Sequence, residues 1–347
     1  MGDYLKLFEK HSEYETYSSG DMLKPNVSYC EDNNEVHYNP WVDPKLVCKY
    51  NVTSISSPTQ LRTNYEPNIF KSMEIDGVQL DNLVTEYTFG STGVHTVKYE
   101  LYDETKLGNN APAFDSITSL ISVSIPDSVT SIGSYAFSGC TSLTSITIPS
   151  SVTSIGSGTF AGCHSLVTIA VDSNNSTYDS RNNCNAIIET ATNTLIAGCN
   201  NTVIPNSVTS IGYYAFQGCT LKSVTIPNSV TSIGYYAFQG CTSLTSVTIG
   251  TGVTSIGGSA FNRCISLTSI TIPDSVTSIG SYAFSSCSNL TSITVEATTA
   301  PTIQSETFRD IKTNGTLTVP SGSSGYDVWM GTGNYYLGKY NWTKVER

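Results

Sequence analysis

Residues able to perform acid–base, metal or nucleophilic chemistry are few in this sequence and do not cluster. Cys30 and His37 lie seven residues apart with Cys48 beyond them, which matches no common zinc pattern. The sequence contains no G-x-S-x-G elbow, no phosphate-binding loop and no G-x-G-x-x-G motif. The histidines also lack metal-site spacing: His11, His37, His95 and His164. We therefore predict a non-enzymatic protein without metal or cofactor, with carboxylate pairs for glycoside hydrolysis as an open alternative.

Six of the ten cysteines occupy the same place in a repeated phrase, which predicts a structural role. They are Cys140, Cys163, Cys219, Cys241, Cys264 and Cys287. Thiols stacked in one direction suit close packing better than the dihedral angle of a disulfide. Ile117 and Ile311 stand where a cysteine is expected, so the position requires an apolar side chain rather than thiol chemistry. The redox states of Cys30, Cys48, Cys184 and Cys199 stay open.

An oxygen-rich segment raises the question of calcium. Its candidate ligands are Asp172, Asn174, Asn175 and Asp179. An EF-hand loop needs glycine at its sixth position and glutamate at its twelfth, where this segment has Thr177 and Asn183. The pattern favours a solvated turn over a calcium site.

A repeated phrase organises most of the chain. "PNSVTSIGYYAFQGCTSLTSVTIG" begins at Pro227 and returns, slightly changed, from Pro273. The residues that close its "I-x-I" or "V-x-I" pairs recur every 22 to 24 residues, with one step of 33: Ile125, Ile148, Val171, Ile204, Ile226, Ile249, Ile272, Val295 and Val319. A fixed period in the twenties is typical of a solenoid, so we predict about nine stacked coils.

Each coil has fixed apolar positions that only its neighbours can cover. Val247 and Ile249 alternate with Ser246 and Thr248, which indicates a short strand with one buried face. The motif "G-x-x-A-F-x-x-C" predicts a small helical or 3₁₀ corner. Its phenylalanines predict a buried ladder: Phe137, Phe160, Phe216, Phe238, Phe261 and Phe284.

The phrase "IPxSVTSIGxxAFxxCxSLTSITI" resembles the BspA-type leucine-rich repeat over residues 107–320. The resemblance implies a mainly β fold and an extracellular or surface role in adhesion and recognition, without catalysis. The 33-residue step in the repeat spacing lies at 172–203, where "NAIIE" and "TLIAG" flank a turn. These residues predict a β-hairpin extension, a variation found in the same family.

The repeats have distinct flanks. Residues 45–106 alternate like antiparallel strands, and "GVHTVKYEL" resembles the sandwich module that often precedes such repeats, so we predict a small Ig-like β domain. Residues 321–347 contain aromatic side chains suited to a C-terminal cap. Residues 1–44 show no signal peptide, and their "PNVSYC...VHYN" stretch resembles structural proteins of phages of gut Bacteroidetes.

The sequence predicts recognition through a polar, aromatic surface. The candidate ligand-binding residues are Tyr135, Tyr213, Tyr214, Tyr235, Tyr236 and Tyr282; the alternative is that they only fill space between coils. The net charge of -11 argues against nucleic acid, and no apolar run is long enough to span a membrane.

Two functions follow from these features. The first is a phage virion appendage, anchored through the N-terminal region and binding a host polysaccharide or surface protein through the solenoid. The alternative is a bacterial cell-surface or secreted BspA-like adhesin. Either could form a homo-oligomer.

Overall fold

The computed structural model describes residues 29–32, 35–38, 45–63, 69–108, 112–333 and 335–347. The chain divides into two compact units, Met1–Lys45 and Leu46–Arg347. In the first unit, β1 (Tyr29–Asp32) pairs antiparallel with β2 (Glu35–Tyr38). The rest of the attachment segment predicted at 1–44 lies outside the described residues, and so does the side chain of Cys30.

The second unit consists of an N-terminal group of strands followed by the repeats. The N-terminal strands are β3 (Leu46–Val52), β4 (Thr59–Gln60), β5 (Phe70–Ile75), β6 (Val78–Gln79), β7 (Glu86–Tyr87), β8 (Gly93–Leu101) and β9 (Lys106–Leu107). The following strands are β10 (Leu120–Ser124), β11 (Ser131–Ile132), β12 (Ser145–Ile148), β13 (Ser154–Ile155), β14 (Thr168–Val171), β15 (Tyr178–Asp179), β16 (Ala186–Glu189), β17 (Thr194–Gly198), β18 (Ser210–Ile211), β19 (Ser223–Ile226), β20 (Ser232–Ile233), β21 (Ser246–Ile249), β22 (Ser255–Ile256), β23 (Ser269–Ile272), β24 (Ser278–Ile279), β25 (Ser292–Val295), β26 (Thr302–Ile303), β27 (Thr316–Val319) and β28 (Thr343–Glu346).

The repeats form a solenoid of about ten turns, close to the nine predicted. A regular coil contributes one four-residue strand and one two-residue strand, and each pairs in parallel with its equivalent in a neighbouring coil, as β19 does with β21 and β20 with β22. Val247 and Ile249 are buried, whereas Ser246 and Thr248 face solvent. The predicted inward face is therefore confirmed, and the core lies between the two ladders of strands.

The phenylalanine ladder forms two columns of near-parallel rings in this core, one ending at Phe160 and the next beginning at Phe216. Phe216 and Phe238 have ring centroids 4.9 Å apart, and Phe238 and Phe261 have centroids 5.2 Å apart. Stacking extends the predicted ladder to Phe114 at one end and Phe308 at the other. Since these rings are almost fully buried, the fold depends on presenting the same inward shape in successive coils.

The corners are chains of tight turns rather than the helical or 3₁₀ pieces that we predicted. In one corner, Gln239 N–H donates to Tyr236 O and Cys241 N–H donates to Phe238 O, each three residues back. Tyr236 and Gly240 adopt left-handed backbone angles, with φ of 59° and 70°. A left-handed residue interrupts a right-handed helix, so each corner breaks into separate turns. Within the described ranges, 3₁₀ helices occur only at Arg181–Asn183 and Leu337–Tyr340.

The segment predicted as an Ig-like domain at 45–106 continues the solenoid sheet. β3 pairs antiparallel with β8 on one edge and with the first long repeat strand, β10, on the other. Phe70 contacts Phe114, whose ring stacks on Phe137 at 5.6 Å. These strands therefore share a sheet and a hydrophobic core with the first coils, instead of forming a separate sandwich, and they cover the open end of the stack.

Aromatic residues close the other end, as predicted for 321–347. Trp329 packs against Phe308 with centroids 5.3 Å apart, and its indole N–H donates to Pro301 O. Tyr326 donates to Ala297 O, and Trp342 donates to Lys312 O. Each ring covers apolar core while its polar atom finds a backbone carbonyl, which is what a solenoid end requires.

Candidate functional site

A concave surface among the described residues runs across the coils on the outer side of the two-residue strands. We call it the SIG groove because its floor is built from four Ser-Ile-Gly triplets: 210–212, 232–234, 255–257 and 278–280. Its volume is about 610 Å³. Ile155 and Thr194 lie toward one end and Gln304 toward the other. No charged side chain is among the described residues that line it.

The floor of the SIG groove combines serine hydroxyls with bare backbone. The isoleucine of each triplet points into the core, so the serine before it is left half-exposed on the groove side. Ser210 Oγ and Ser232 Oγ lie 3.0 Å apart in neighbouring coils. A side chain at Gly234 would place its Cβ 2.8 Å from the backbone of Gly212. Glycine is therefore needed for coils to stack this closely, and its lack of a side chain keeps the groove open.

Tyr213 and Tyr235 form an aromatic wall along part of the SIG groove. Their side chains are 57% and 49% exposed, and their rings meet edge to face with centroids 5.6 Å apart. Tyr235 leans over the next coil, where a Cβ on Gly258 would lie 2.8 Å from its ring. Two large, amphipathic rings are thus held in place beside a row of hydroxyls.

The other four predicted tyrosines lie at the corners and mainly contact one another or their neighbours. Tyr214 stacks on Tyr236 with centroids 4.9 Å apart, and Tyr135 meets Tyr214 edge to face at 5.6 Å. The hydrogen bond with Tyr135, together with burial, raises the pKa of Tyr214 to about 12. A hydrogen bond to Glu306 also raises the pKa of Tyr282. The structure therefore separates the six candidates into two sets and brings only Tyr213 and Tyr235 to the SIG groove.

The cysteine ladder is buried and makes hydrogen bonds that the sequence did not reveal. Cys241 Sγ donates to Phe216 O at 3.1 Å, and Cys264 Sγ donates to Phe238 O at 3.3 Å. Burial raises the pKa of the Cys241 thiol to about 12. All nine described cysteines are free thiols. A protonated thiol that donates to the preceding coil is a structural link, not a nucleophile.

Cys199 is a further buried thiol close to this column. Burial, followed by the neighbouring thiols of Cys241, Cys199 and Cys163, raises the pKa of Cys219. Cys199 Sγ donates to Asn185 O at 3.3 Å, within the hairpin coil, so Cys199 lies beside the ladder and not at its repeat position.

The oxygen-rich segment uses its polar atoms internally. The Asn175 amide donates to Pro149 O and Val152 O, while its Oδ1 accepts the N–H groups of Thr177 and Tyr178. Asp179 forms an ion pair with Arg181 at 2.7 Å. The predicted solvated turn is thus exposed at Asp172 but buried at Asn175. Within the parts of the chain that are described, no group of three His, Cys, Asp or Glu residues could hold a metal ion.

The described residues include no helix of the length and apolarity needed to cross a membrane. This finding concerns helices in the described residues only.

Several solved structures of bacterial proteins resemble this chain. A leucine-rich cell-surface protein from Faecalibacterium prausnitzii is 30% identical, with a TM-score of 0.52, and the match covers 67% of this chain and 60% of that one. The pneumococcal vaccine antigen PcpA is 17% identical, with a TM-score of 0.46 and coverage of 63% and 65%. A leucine-rich repeat protein from Eubacterium ventriosum is 22% identical, with a TM-score of 0.42 and coverage of 61% and 67%. The chain spans less than two thirds of the first two proteins.

The family evidence rests on the repeats themselves. No curated protein sequence matches the chain. The family described as "BspA type leucine rich repeat region" matches residues 105–195 and 194–315 in six copies, which is more than half of the chain. This match covers the stacked coils, their phenylalanine and cysteine columns and the whole floor of the SIG groove. The chain therefore belongs to the BspA-type leucine-rich repeat family.

Proposed function

We propose that this chain is a non-enzymatic recognition protein of a bacterial cell surface, and that it binds its ligand along the SIG groove. Membership of the BspA-type family supports a surface role, as does the resemblance to the cell-surface protein of Faecalibacterium prausnitzii. Because the chain spans only 60% of that protein, location and partner are inferred here rather than transferred.

The observation that carries the proposal is the SIG groove itself. It crosses several coils and presents the half-exposed rings of Tyr213 and Tyr235 beside half-exposed serines. Its described lining is uncharged although the chain as a whole has a net charge of -11. A concave surface with aromatic rings and convergent hydroxyls is suited to binding.

The use of the titratable residues supports a non-enzymatic role. Ladder thiols such as Cys241 donate to backbone carbonyls in the core. His164 Nδ1 lies 2.5 Å from Gly218 O, and Asp179 is paired with Arg181. These groups stabilise contacts between or within coils, and they lie away from the lining of the SIG groove.

The similar protein from Faecalibacterium prausnitzii is a bacterial cell-surface protein, so it favours the alternative prediction of a bacterial surface protein over a virion appendage. The virion hypothesis depends on a short stretch within residues 1–44. Most of that segment lies outside the described residues.

Protease treatment of intact source bacteria tests the location. We expect externally added protease to remove the protein from intact cells while a cytoplasmic marker survives. Protection of the protein until the cells are lysed would contradict a cell-surface location. Co-purification with phage particles through a density gradient would instead support the virion hypothesis.

Binding of the purified protein to cells tests recognition. Tyr213→Ala/Tyr235→Ala should lose most binding to target cells, because it removes both rings of the wall. Tyr102→Ala is the matched control, since Tyr102 is 62% exposed and lies outside the SIG groove. Equal binding by the groove variant and the wild type would exclude the SIG groove as the recognition site.

A further inference from the structure

We propose that the ligand of the SIG groove is a neutral, unbranched polysaccharide that lies along the axis of the coil stack, with one sugar unit per coil. This inference rests on the groove assigned under the proposed function and specifies the class of ligand. It commits to a glycan, and a protein partner is one outcome of the experiments below.

The first argument is periodicity. The triplets of the groove floor pair without a shift in register, Ser210 with Ser232, Ser232 with Ser255 and Ser255 with Ser278. The coils repeat at the 4.9 to 5.6 Å separation seen between the rings of Phe216, Phe238, Phe261 and Phe284. A pyranose unit in an extended chain advances by a comparable length. A regular polymer can therefore make the same contact at each coil, which an irregular protein surface cannot do.

The second argument is hydrogen-bonding capacity. A serine hydroxyl can donate one hydrogen bond and accept others, as a sugar hydroxyl can. Ser210 and Ser232 already lie within hydrogen-bond distance of each other. Within the described part of the chain, the hydroxyls of Ser255 and Ser278 have no such partner, and both side chains are half-exposed on the groove floor. These two hydroxyls are available to successive units of the ligand.

The third argument is the combination of rings with neutrality. Tyr213 and Tyr235 offer exposed ring surface that can pack against the C–H faces of sugars while their hydroxyls stay hydrated. The described lining contains no Asp, Glu, Lys or Arg. An acidic or basic polymer would find no side chain of opposite charge there, whereas a neutral polymer needs none.

A size series of oligosaccharides tests the proposal. The full chain is titrated with unbranched β-linked gluco-, manno- and galacto-oligosaccharides, from disaccharide to octasaccharide, with binding measured by calorimetry. In at least one series, we expect the affinity to rise with each added sugar until every Ser-Ile-Gly triplet of the groove floor is occupied. Longer oligosaccharides should then bind no more tightly. Raising the salt concentration should leave the affinity unchanged, because no ion pair contributes.

Two variants and a matched control connect the affinity to the groove. Ser255→Ala should weaken binding by roughly two- to tenfold, the value of one lost hydrogen bond. Tyr235→Ala should weaken it by at least a similar factor. Ser269→Ala removes an exposed hydroxyl from the face of a long strand outside the groove, and it should bind like the wild type. Thermal unfolding of each variant confirms that the fold is retained.

Three outcomes would contradict the proposal that the ligand is a neutral glycan. The first is that no neutral oligosaccharide of any length binds, although the Tyr213→Ala/Tyr235→Ala variant still loses cell binding. The second is that only charged oligosaccharides bind and salt abolishes the interaction. The third is that protease treatment of the target cells removes all binding, which identifies a protein partner. In each case the SIG groove remains the recognition site, because recognition through the groove is excluded only if the Tyr213→Ala/Tyr235→Ala variant keeps full cell binding.

Discussion

The regular coils from Phe216 to Phe308 and the hairpin coil at 172–203 pack against their neighbours in different ways. In the regular coils, each phenylalanine ring lies nearly parallel to the next, with centroids 4.9 to 6.1 Å apart. The hairpin coil has no phenylalanine at this point. Gly198 lies there instead, so close to Phe216 that its missing Cβ would be 2.1 Å from the ring. The buried apolar residues form two clusters, and this coil contributes to both, with Leu195 in one and Ala197 in the other.

Backbone hydrogen bonds connect the coils across the break in the phenylalanine stack. Gly198 N–H donates to Ala215 O in the position that a regular coil would occupy. At the corner, the hairpin coil is bypassed, because Gly162 N–H donates directly to Gln217 O and Tyr135 contacts Tyr214. The difference shows that the stack tolerates a missing ring as long as hydrogen bonds between coils continue and a glycine leaves room for the next ring.

Truncating a ring in the middle of the regular stack should have the largest effect. Phe238→Ala should lower the free energy of unfolding by about 3–5 kcal/mol, because it removes a fully buried ring and leaves a cavity. Phe216→Ala should cost less, since Phe216 stacks on a ring on one side and lies against Gly198 on the other. Urea denaturation measures both, with exposed Tyr102→Ala as the control. A larger cost for Phe216→Ala would contradict the contrast between the two regions.

Adding a methyl group at the hairpin coil should have an intermediate effect. Gly198→Ala should cost about 1–3 kcal/mol, because the new Cβ overlaps the ring of Phe216. Gly90→Ala is a matched control, since its Cβ would meet no atom within 4 Å. Combining Gly198→Ala with Phe216→Leu should recover part of the loss, because the two changes act on one contact. Strictly additive losses would show that the glycine is not there to accommodate the ring.

Alkaline pH should reveal the thiol column through an effect that is absent below pH 9.0. The folded Cys241 thiol has a pKa of about 12, against an ordinary value of 9.0 in the unfolded chain. Above pH 9.0 the unfolded chain loses this proton while the folded protein keeps it, so rising pH favours unfolding. The stabilisation is complete below pH 9.0 and is lost as the pH approaches 12.

Cys241→Ala should therefore flatten the dependence of unfolding free energy on pH by about 1.4 kcal/mol per pH unit in this range. Denaturant midpoints measured under reducing conditions give this slope. Cys199→Ala in the hairpin coil should change the slope in the same direction, because burial also raises the pKa of that thiol. If the wild type and Cys241→Ala give parallel pH profiles, the thiol does not stay protonated in the folded state.

The sequence predicted the repeat well because a solenoid is built from local signals. The alternation around Val247 and Ile249 and the period of Phe238 and Cys241 required no knowledge of distant contacts. The N-terminal segment was harder. Its strands were visible, but whether β3 ends a separate sandwich or pairs with β10 depends on residues some seventy positions apart, which no local pattern records.

The candidate site was predicted only in part for the same reason. Tyr213 and Tyr214 are neighbours in the sequence, yet one lines the SIG groove and the other turns to the corner. The left-handed backbone at Tyr214, with φ of 60°, separates their directions. The thiol hydrogen bonds were missed because each joins a side chain of one coil to the backbone of another, which no local pattern records.

The sequence alone determines the period, the inward residues, the hairpin extension and the scarcity of charge in the repeats, because each of these can be read from the local pattern of the coils. Only the tertiary structure decides which outward residues come together. The SIG groove exists because coils stack in register and bring Ser232, Ser255 and Ser278 into one row, with Tyr235 leaning over Gly258. Those contacts lie between coils, and their geometry follows from the close approach that the glycines permit.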